Sequence, residues 1–351
     1  MSVYTPRWVR GGGHWMTIFC WGRARNFPRL PAPEERLFAV AADAKVLAHC
    51  HWQPVRSNHP LLMLLHGLEG SSSAHYMRGI ADKAFAAGFN VIRLNQRNCG
   101  GTEQLAAGLY HSGLTQDAEV VLREVAAGDG ITDIVIAGYS LGGNLALKLA
   151  GDHGDAPPPE LRGVAAVSPV IELEACVHAL ERRSNVIYQW NFVRGLRARM
   201  LRKDQCFPGH FPMERLPEIR TVRQFDAAFT APHFGFASAE DYYHRASAMR
   251  VVSRIRVPAL ILSAADDPFV PAELFRAPAV TSNPNIRAIV TPHGGHCGFL
   301  EHESKEHDGY WAERRIVEFA AEVCRLGPLT EGGGVTTPNV QRSNSQGEPF
   351  A

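Results

Sequence analysis

Three short stretches carry residues able to do chemistry together: Ser140 in GYSLG (138–142), Asp266 and Asp267 in SAADDPFVP (263–271), and His293 and His296 in TPHGGHCGF (291–299). A serine hydroxyl is a weak nucleophile near neutral pH. It needs an imidazole to take its proton and an anionic group to hold that imidazole in one tautomer. G-x-S-x-G between an apolar run and a helical pattern places such a hydroxyl on a sharp turn, where flanking residues must be small. Ser140 is the expected nucleophile, His296 the base and Asp267 the orienting acid, with Asp266 and His293 as neighbouring alternatives. The chemistry would be acyl transfer through a tetrahedral intermediate, which requires two N–H groups aimed at its oxyanion. Leu141 follows the serine and Leu68 sits in HGLEGSSS (66–73), so their amides are the candidate donors.

Competing chemistries fit less well. GYSLGGNL has glycines at phosphate-loop spacing, but Asn144 stands where a lysine would be needed. Histidines at 49, 51, 293, 296, 302 and 307 form no HExxH pattern and no cysteine cluster supports them, so neither a metal nor another cofactor is expected. Cys297 reads as a small buried filler rather than a reactive thiol.

Such residues meet only if the chain between them folds in a particular way. RLFAVAADAKVLAHCHWQP, from Arg36, reads as an antiparallel hairpin. PLLMLLHG (60–67) is a continuous apolar run suited to a strand covered on both faces. Helical spacing in 74–88, an apolar run at 90–97, a helix at 114–128 and TDIVIAGYS at 132–140 repeat the strand–helix alternation, and LRGVAAVSPV (161–170) continues it. This rhythm predicts a mostly parallel sheet with helices on both faces. It breaks for about eighty residues after Pro169, resumes at 257–271 and 285–299, and closes with an amphipathic helix in DGYWAERRIVEFAAEVCRL.

Composition sets outer limits. Lys and Arg number 36 against 35 Asp and Glu, a net charge of +1, so no global field favours nucleic acid as a partner. The basic stretch RGLRARMLRK (194–203) reads first as a solvated helix face and second as an anion or membrane contact. Seven scattered cysteines without a CxxC pair suggest a reducing compartment, and the N-terminal region lacks a signal-peptide pattern, so a cytoplasmic location is expected.

The segments PRWVRGGGHWMTIF, HGLEGSSSAHY, RLNQRNCGGTEQ, GYSLGGN, SAADDPFVP and GGHCGF, in that order, resemble the YheT-like branch of the α/β-hydrolase superfamily, related to eukaryotic ABHD-type lipases. The resemblance spans about residues 4–325, and the third glycine of RGGGH departs from it. It implies an α/β-hydrolase fold with a helical cap insertion and a serine esterase acting on short- to medium-chain acyl esters or lipids. Ser140, Asp267 and His296 occupy the matching triad positions. The same residues would also suit an acyltransferase, a membrane-peripheral phospholipase with transient membrane contact, or a non-catalytic binding protein on this scaffold. Oligomeric state is not legible. The expected division is an N-terminal arm (1–35), a core (36–170 and 251–326), a cap (171–250) and a disordered tail (327–351). Within the cap, Tyr188, Trp190, Phe192, Phe225, Phe229, Phe234 and Phe236 either line an acyl pocket or build the cap's own core.

Overall fold

The computed structural model describes residues 4–9 and 11–326, so the expected tail lies outside the described residues. Eight strands form one sheet: β1 (Glu34–Ala41), β2 (Ala44–His51), β3 (Leu61–Leu65), β4 (Asn90–Leu94), β5 (Ile134–Tyr139), β6 (Leu161–Val167), β7 (Ala259–Ala264) and β8 (Ile286–Thr291). Their order is β1-β2-β4-β3-β5-β6-β7-β8. The β1–β2 hairpin is antiparallel and joins β4 antiparallel, whereas every pairing from β4 to β8 is parallel.

Helix α1 (Gly12–Gly22) precedes the sheet, α2 (His75–Ala86) joins β3 to β4, α3 (Gln116–Asp129) joins β4 to β5, and α4 (Leu141–His153) joins β5 to β6. The period-2 geometry of a strand explains how five consecutive apolar residues of β3 are all buried. Leu61, Met63 and Leu65 enter the core shared with α3 and α4, while Leu62 and Leu64 face the core built with α2 and the closing helix Trp311–Val323. Two apolar layers therefore sandwich the sheet, as continuous hydrophobic strands require.

The strands are shorter than the apolar runs that announced them. β4 ends at Leu94 and β7 at Ala264, so Asn95, Gln96, Asp266 and Asp267 lie in loops beyond the strand ends. Between β6 and β7 the chain is helical, with α5 (Leu173–Leu180), α6 (Val186–Cys206) and the shorter helices Val222–Phe225 and Ala239–Ala246. Buried Asn144 anchors this cap: its amide donates to the carbonyls of Ser112 (2.8 Å) and Ala246 (2.9 Å), and its oxygen accepts from the Ala248 N–H (2.8 Å).

The basic stretch on α6 departs from the solvated face expected of it. Arg194 and Arg202 are exposed, but Arg199 and Lys203 are buried. The Lys203 ammonium donates to Asn98 Oδ1 (2.8 Å) and to the carbonyls of Glu103 and Ala106, and burial pushes it down to about 8. Arg199 pairs with Glu69 at 3.1 Å. The inner face of α6 is basic because the loops beneath it present oxygens that need donors.

The N-terminal segment is fastened to the core. Arg25 makes a two-pronged ion pair with Glu313 (2.5 and 2.7 Å), and Lys83 joins Glu313 (2.8 Å) and Asp308 (2.7 Å). Buried charges persist only when paired in this way.

Candidate active site

Ser140 lies between β5 and α4 with φ 54° and ψ −114°, a left-handed conformation strained for a residue bearing a Cβ. Its N–H donates to the Val167 carbonyl (2.8 Å), and its carbonyl accepts from Asn144 (3.0 Å) and Val170 (3.3 Å), which fix the turn. A Cβ on Gly142 would collide with the Leu65 carbonyl, and one on Gly138 with the Gly142 carbonyl. The two glycines permit α4 to leave directly over β3.

The Asp267 side chain is fully buried, and Oδ2 meets His296 Nδ1 at 2.8 Å. Its Oδ1 accepts the N–H groups of Phe269 (3.1 Å) and Val270 (3.0 Å). Burial lowers the basicity of His296, but the adjacent Asp267 carboxylate outweighs burial and raises its pKa above the ordinary 6.5. The alternative residues form a separate pair: Asp266 Oδ2 faces His293 Nδ1 at 3.2 Å and Oδ1 accepts the Gly295 N–H at 2.9 Å. Each aspartate thus has its own histidine, and the Asp267–His296 pair is the more buried.

Ser140, Leu68, Leu141 and Phe269 line a cavity that is partly open to solvent. Its remaining wall is mainly cap residues, among them Leu173, Val177, Leu180, Leu196 and Phe225. The His296 ring packs on Phe269 with centroids 4.0 Å apart, so it stands beside the cavity wall. Ser140 and His296 share no hydrogen bond among the described residues. Neither the Leu68 nor the Leu141 N–H donates to a protein acceptor among the described residues.

The loop bearing Leu68 is held by residues that lie within the quoted motifs but to which the sequence reading gave no role. Buried His66 donates through Nδ1 to the Gly67 carbonyl (2.8 Å) and accepts at Nε2 from the Gln96 N–H (3.1 Å), which fixes a neutral tautomer. Burial lowers its pKa to about 4. Tyr76 accepts the Gly67 N–H (3.1 Å) and stacks on Tyr139 at 4.6 Å. Thr17 of α1 was also unforeseen: it accepts the His296 N–H (2.8 Å) while donating to the Gly13 carbonyl (2.6 Å). No local pattern could reveal a partner 279 residues away.

The aromatic residues of the cap divide. Phe192 and Phe225 line the cavity, and Tyr188 packs on Phe269. Phe229 stacks under Phe225, Phe234 and Phe236 surround His111, and Trp190 is exposed. Cys297 is half-buried, not fully buried, and follows His296 with φ 63°.

Parallel strands with crossover helices, an elbow serine after the central β5 and paired acid–histidine loops after β7 and β8 define an α/β hydrolase. Residues 60–303 match the model of the alpha/beta hydrolase fold, and the chain belongs to that family. It is 36% identical over 270 residues to YheT of Escherichia coli (strain K12), named as a candidate esterase, covering 76% of this chain and 78% of that protein. It is 30% identical over 246 residues to phospholipase ABHD3 of Mus musculus, covering 70% of this chain but only 59% of that protein's length. Among solved structures it resembles the Pyrococcus furiosus esterase Pf2001 in fold, with a TM-score of 0.55 at 17% identity over 92% of this chain and 97% of the other.

Proposed function

We propose that the protein is a serine esterase in which Ser140 attacks the carbonyl carbon of a carboxylic ester while His296 accepts the hydroxyl proton. The amides of Leu68 and Leu141 bind the oxyanion of the tetrahedral intermediate, and Asp267 holds the imidazole with Nε2 free to accept. Collapse of the intermediate breaks the ester C–O bond, His296 returns the proton to the departing alcohol, and an acyl-Ser140 remains. Water then attacks that acyl group and loses a proton to His296; collapse breaks the bond to Ser140 Oγ, which takes that proton back, and the carboxylic acid leaves.

The observation that carries this reading is the strained Ser140 elbow opening into an apolar cavity beside a buried Asp267–His296 pair. Strain at one residue costs about 1–3 kcal/mol and persists where the surrounding structure enforces it. The wall formed by Leu173, Val177, Leu180 and Phe225 suits an acyl chain of short to medium length. Residues 171–250 act as a cap over that chain, and the names of the esterase and phospholipase relatives point to the same substrate class.

A fluorophosphonate probe tests the nucleophile. Wild-type protein should be labelled stoichiometrically at Ser140, and Ser140→Ala should be neither labelled nor active across a p-nitrophenyl ester chain-length series. Absence of labelling in folded wild-type protein would refute the proposal. Adding alcohols to the assay separates hydrolysis from transfer by the partition of the acyl group.

A further inference from the structure

Among the described residues, most of the exposed large apolar side chains are gathered in two places. Trp15, Ile18 and Trp21 project from α1, and Val186, Ile187 and Trp190 from the first turns of α6, each between 44% and 69% exposed. On α1 they recur every third residue, on the face opposite buried Gly13, Met16 and Cys20. The two helices touch: His14 Nδ1 lies 3.2 Å from the Tyr188 hydroxyl, and the rings stack with centroids 5.7 Å apart. The patches therefore adjoin. From that junction an aromatic path runs inward, Tyr188 to Phe269 at 5.4 Å and Phe269 to His296 at 4.0 Å. Phe269 is itself a cavity wall.

The two segments that carry these side chains are basic in sequence. Residues 1–33 contain five arginines and no Asp or Glu, and residues 182–203 contain six arginines, one lysine and again no acid. Most of these cations already have partners: Arg7 and Arg23 pair with Glu303 at the surface, Arg25 with Glu313, Arg29 with Asp82, Arg199 with Glu69 and Arg202 with Glu103, while Lys203 donates to Asn98. Arg182, Arg183 and Arg194 are exposed and enter no ion pair among the described residues, and Arg194 lies over the Trp190 ring at 5.0 Å. Tryptophan and isoleucine beside unpaired arginine is the composition that settles at the boundary between acyl chains and anionic headgroups. A protein with a net charge of only +1 has no global attraction to such a surface, so the local segregation of charge matters.

We propose that α1 and the N-terminal turns of α6 form a docking face for an anionic lipid surface and bring the cavity wall at Phe269 to the edge of that surface. The face anchors the protein without crossing the bilayer; no described helix is long and apolar enough to do so. It rests on the esterase reading only for its purpose, the supply of lipid esters. Docking itself does not require Ser140.

Co-sedimentation of the full chain with phosphatidylcholine vesicles, with and without phosphatidylglycerol, tests the face. Wild-type protein should pellet with the anionic vesicles and release as salt rises. The combined change Trp15→Ser, Trp21→Ser and Trp190→Ser alters exposed residues outside the cavity. It should weaken partitioning at least tenfold while hydrolysis of a soluble short-chain ester stays unchanged. Arg182→Gln and Arg183→Gln should each weaken anionic binding by roughly fivefold. Equal partitioning of wild type and the triple variant, or no pelleting with either vesicle, overturns the proposal. So does a wild-type dimer in sedimentation velocity that dissociates in the triple variant, which would assign the face to a second copy. Vesicle binding by a protein inactive on soluble esters would refute the esterase reading and leave the docking face standing.

Discussion

Replacing Asp267 with asparagine asks the structure a sharp question, because the two carboxylate oxygens have unequal duties. Oδ1 accepts two backbone N–H groups, from Phe269 at 3.1 Å and Val270 at 3.0 Å, whereas Oδ2 meets His296 Nδ1 alone at 2.8 Å. An asparagine has one oxygen for these two positions. Turning its NH₂ toward the backbone would leave two donors unpaired at about 1–3 kcal/mol each, against one if it faces the histidine. The oxygen therefore stays with the backbone and the NH₂ donates to Nδ1. That forces the proton onto Nε2, the atom that must accept from Ser140. The expected result is a correctly folded protein with kcat lowered about 10³- to 10⁴-fold, the scale of a misplaced tautomer in a triad. This is roughly 4–5.5 kcal/mol of barrier. Hydrolysis of p-nitrophenyl esters gives kcat and KM, and circular dichroism confirms the fold. Asp266→Asn should stay within about tenfold of wild type, since Asp266 serves His293 and the Gly295 N–H instead. An Asp267→Asn variant retaining more than about a tenth of wild-type activity, or an equal loss in Asp266→Asn, would refute the tautomer reasoning.

Because Asp267 raises the His296 pKa, the imidazole stays protonated to higher pH and cannot act as a base. The kcat/KM profile should therefore rise with pH through a midpoint above 6.5; a midpoint at or below that value contradicts the pairing. Thr17→Val keeps the shape of the side chain but removes the acceptor of the His296 N–H. It should lower kcat by about tenfold with little change in KM and cost about 1 kcal/mol of stability in urea titration, with Thr17→Ser restoring both. Gly142→Ala drives a Cβ into the Leu65 carbonyl. Thermal melts should show a loss of about 1–3 kcal/mol, and fluorophosphonate labelling should fall even where the protein remains folded.

Much of the scaffold is legible in one dimension because its rules are local. LLMLL in β3 is apolar at every position because both faces of a parallel sheet are covered, and that pattern cannot be mistaken for a half-solvated strand. GYSLG is equally plain, since only glycine lets α4 pass over β3 after Ser140. RGLRARMLRK is the opposite case. Charge alone suggests water, yet Arg199 and Lys203 turn inward to a carboxylate and to carbonyls a hundred residues away. Trp190 and Phe192 stand two apart in the same helix, and nothing in the sequence says that the first faces solvent and the second the cavity.

The chain by itself determines the alternation of elements and the residue types able to act, because backbone periodicity and turn chemistry depend on near neighbours. Which aspartate meets which histidine, that Thr17 holds the His296 loop, and that α1 adjoins the cap helix are decided only in three dimensions. Hydrogen bonds and side-chain packing join residues by distance in space, and the separations in sequence, 29 for Asp267 and His296 and 279 for Thr17 and His296, carry no trace of it.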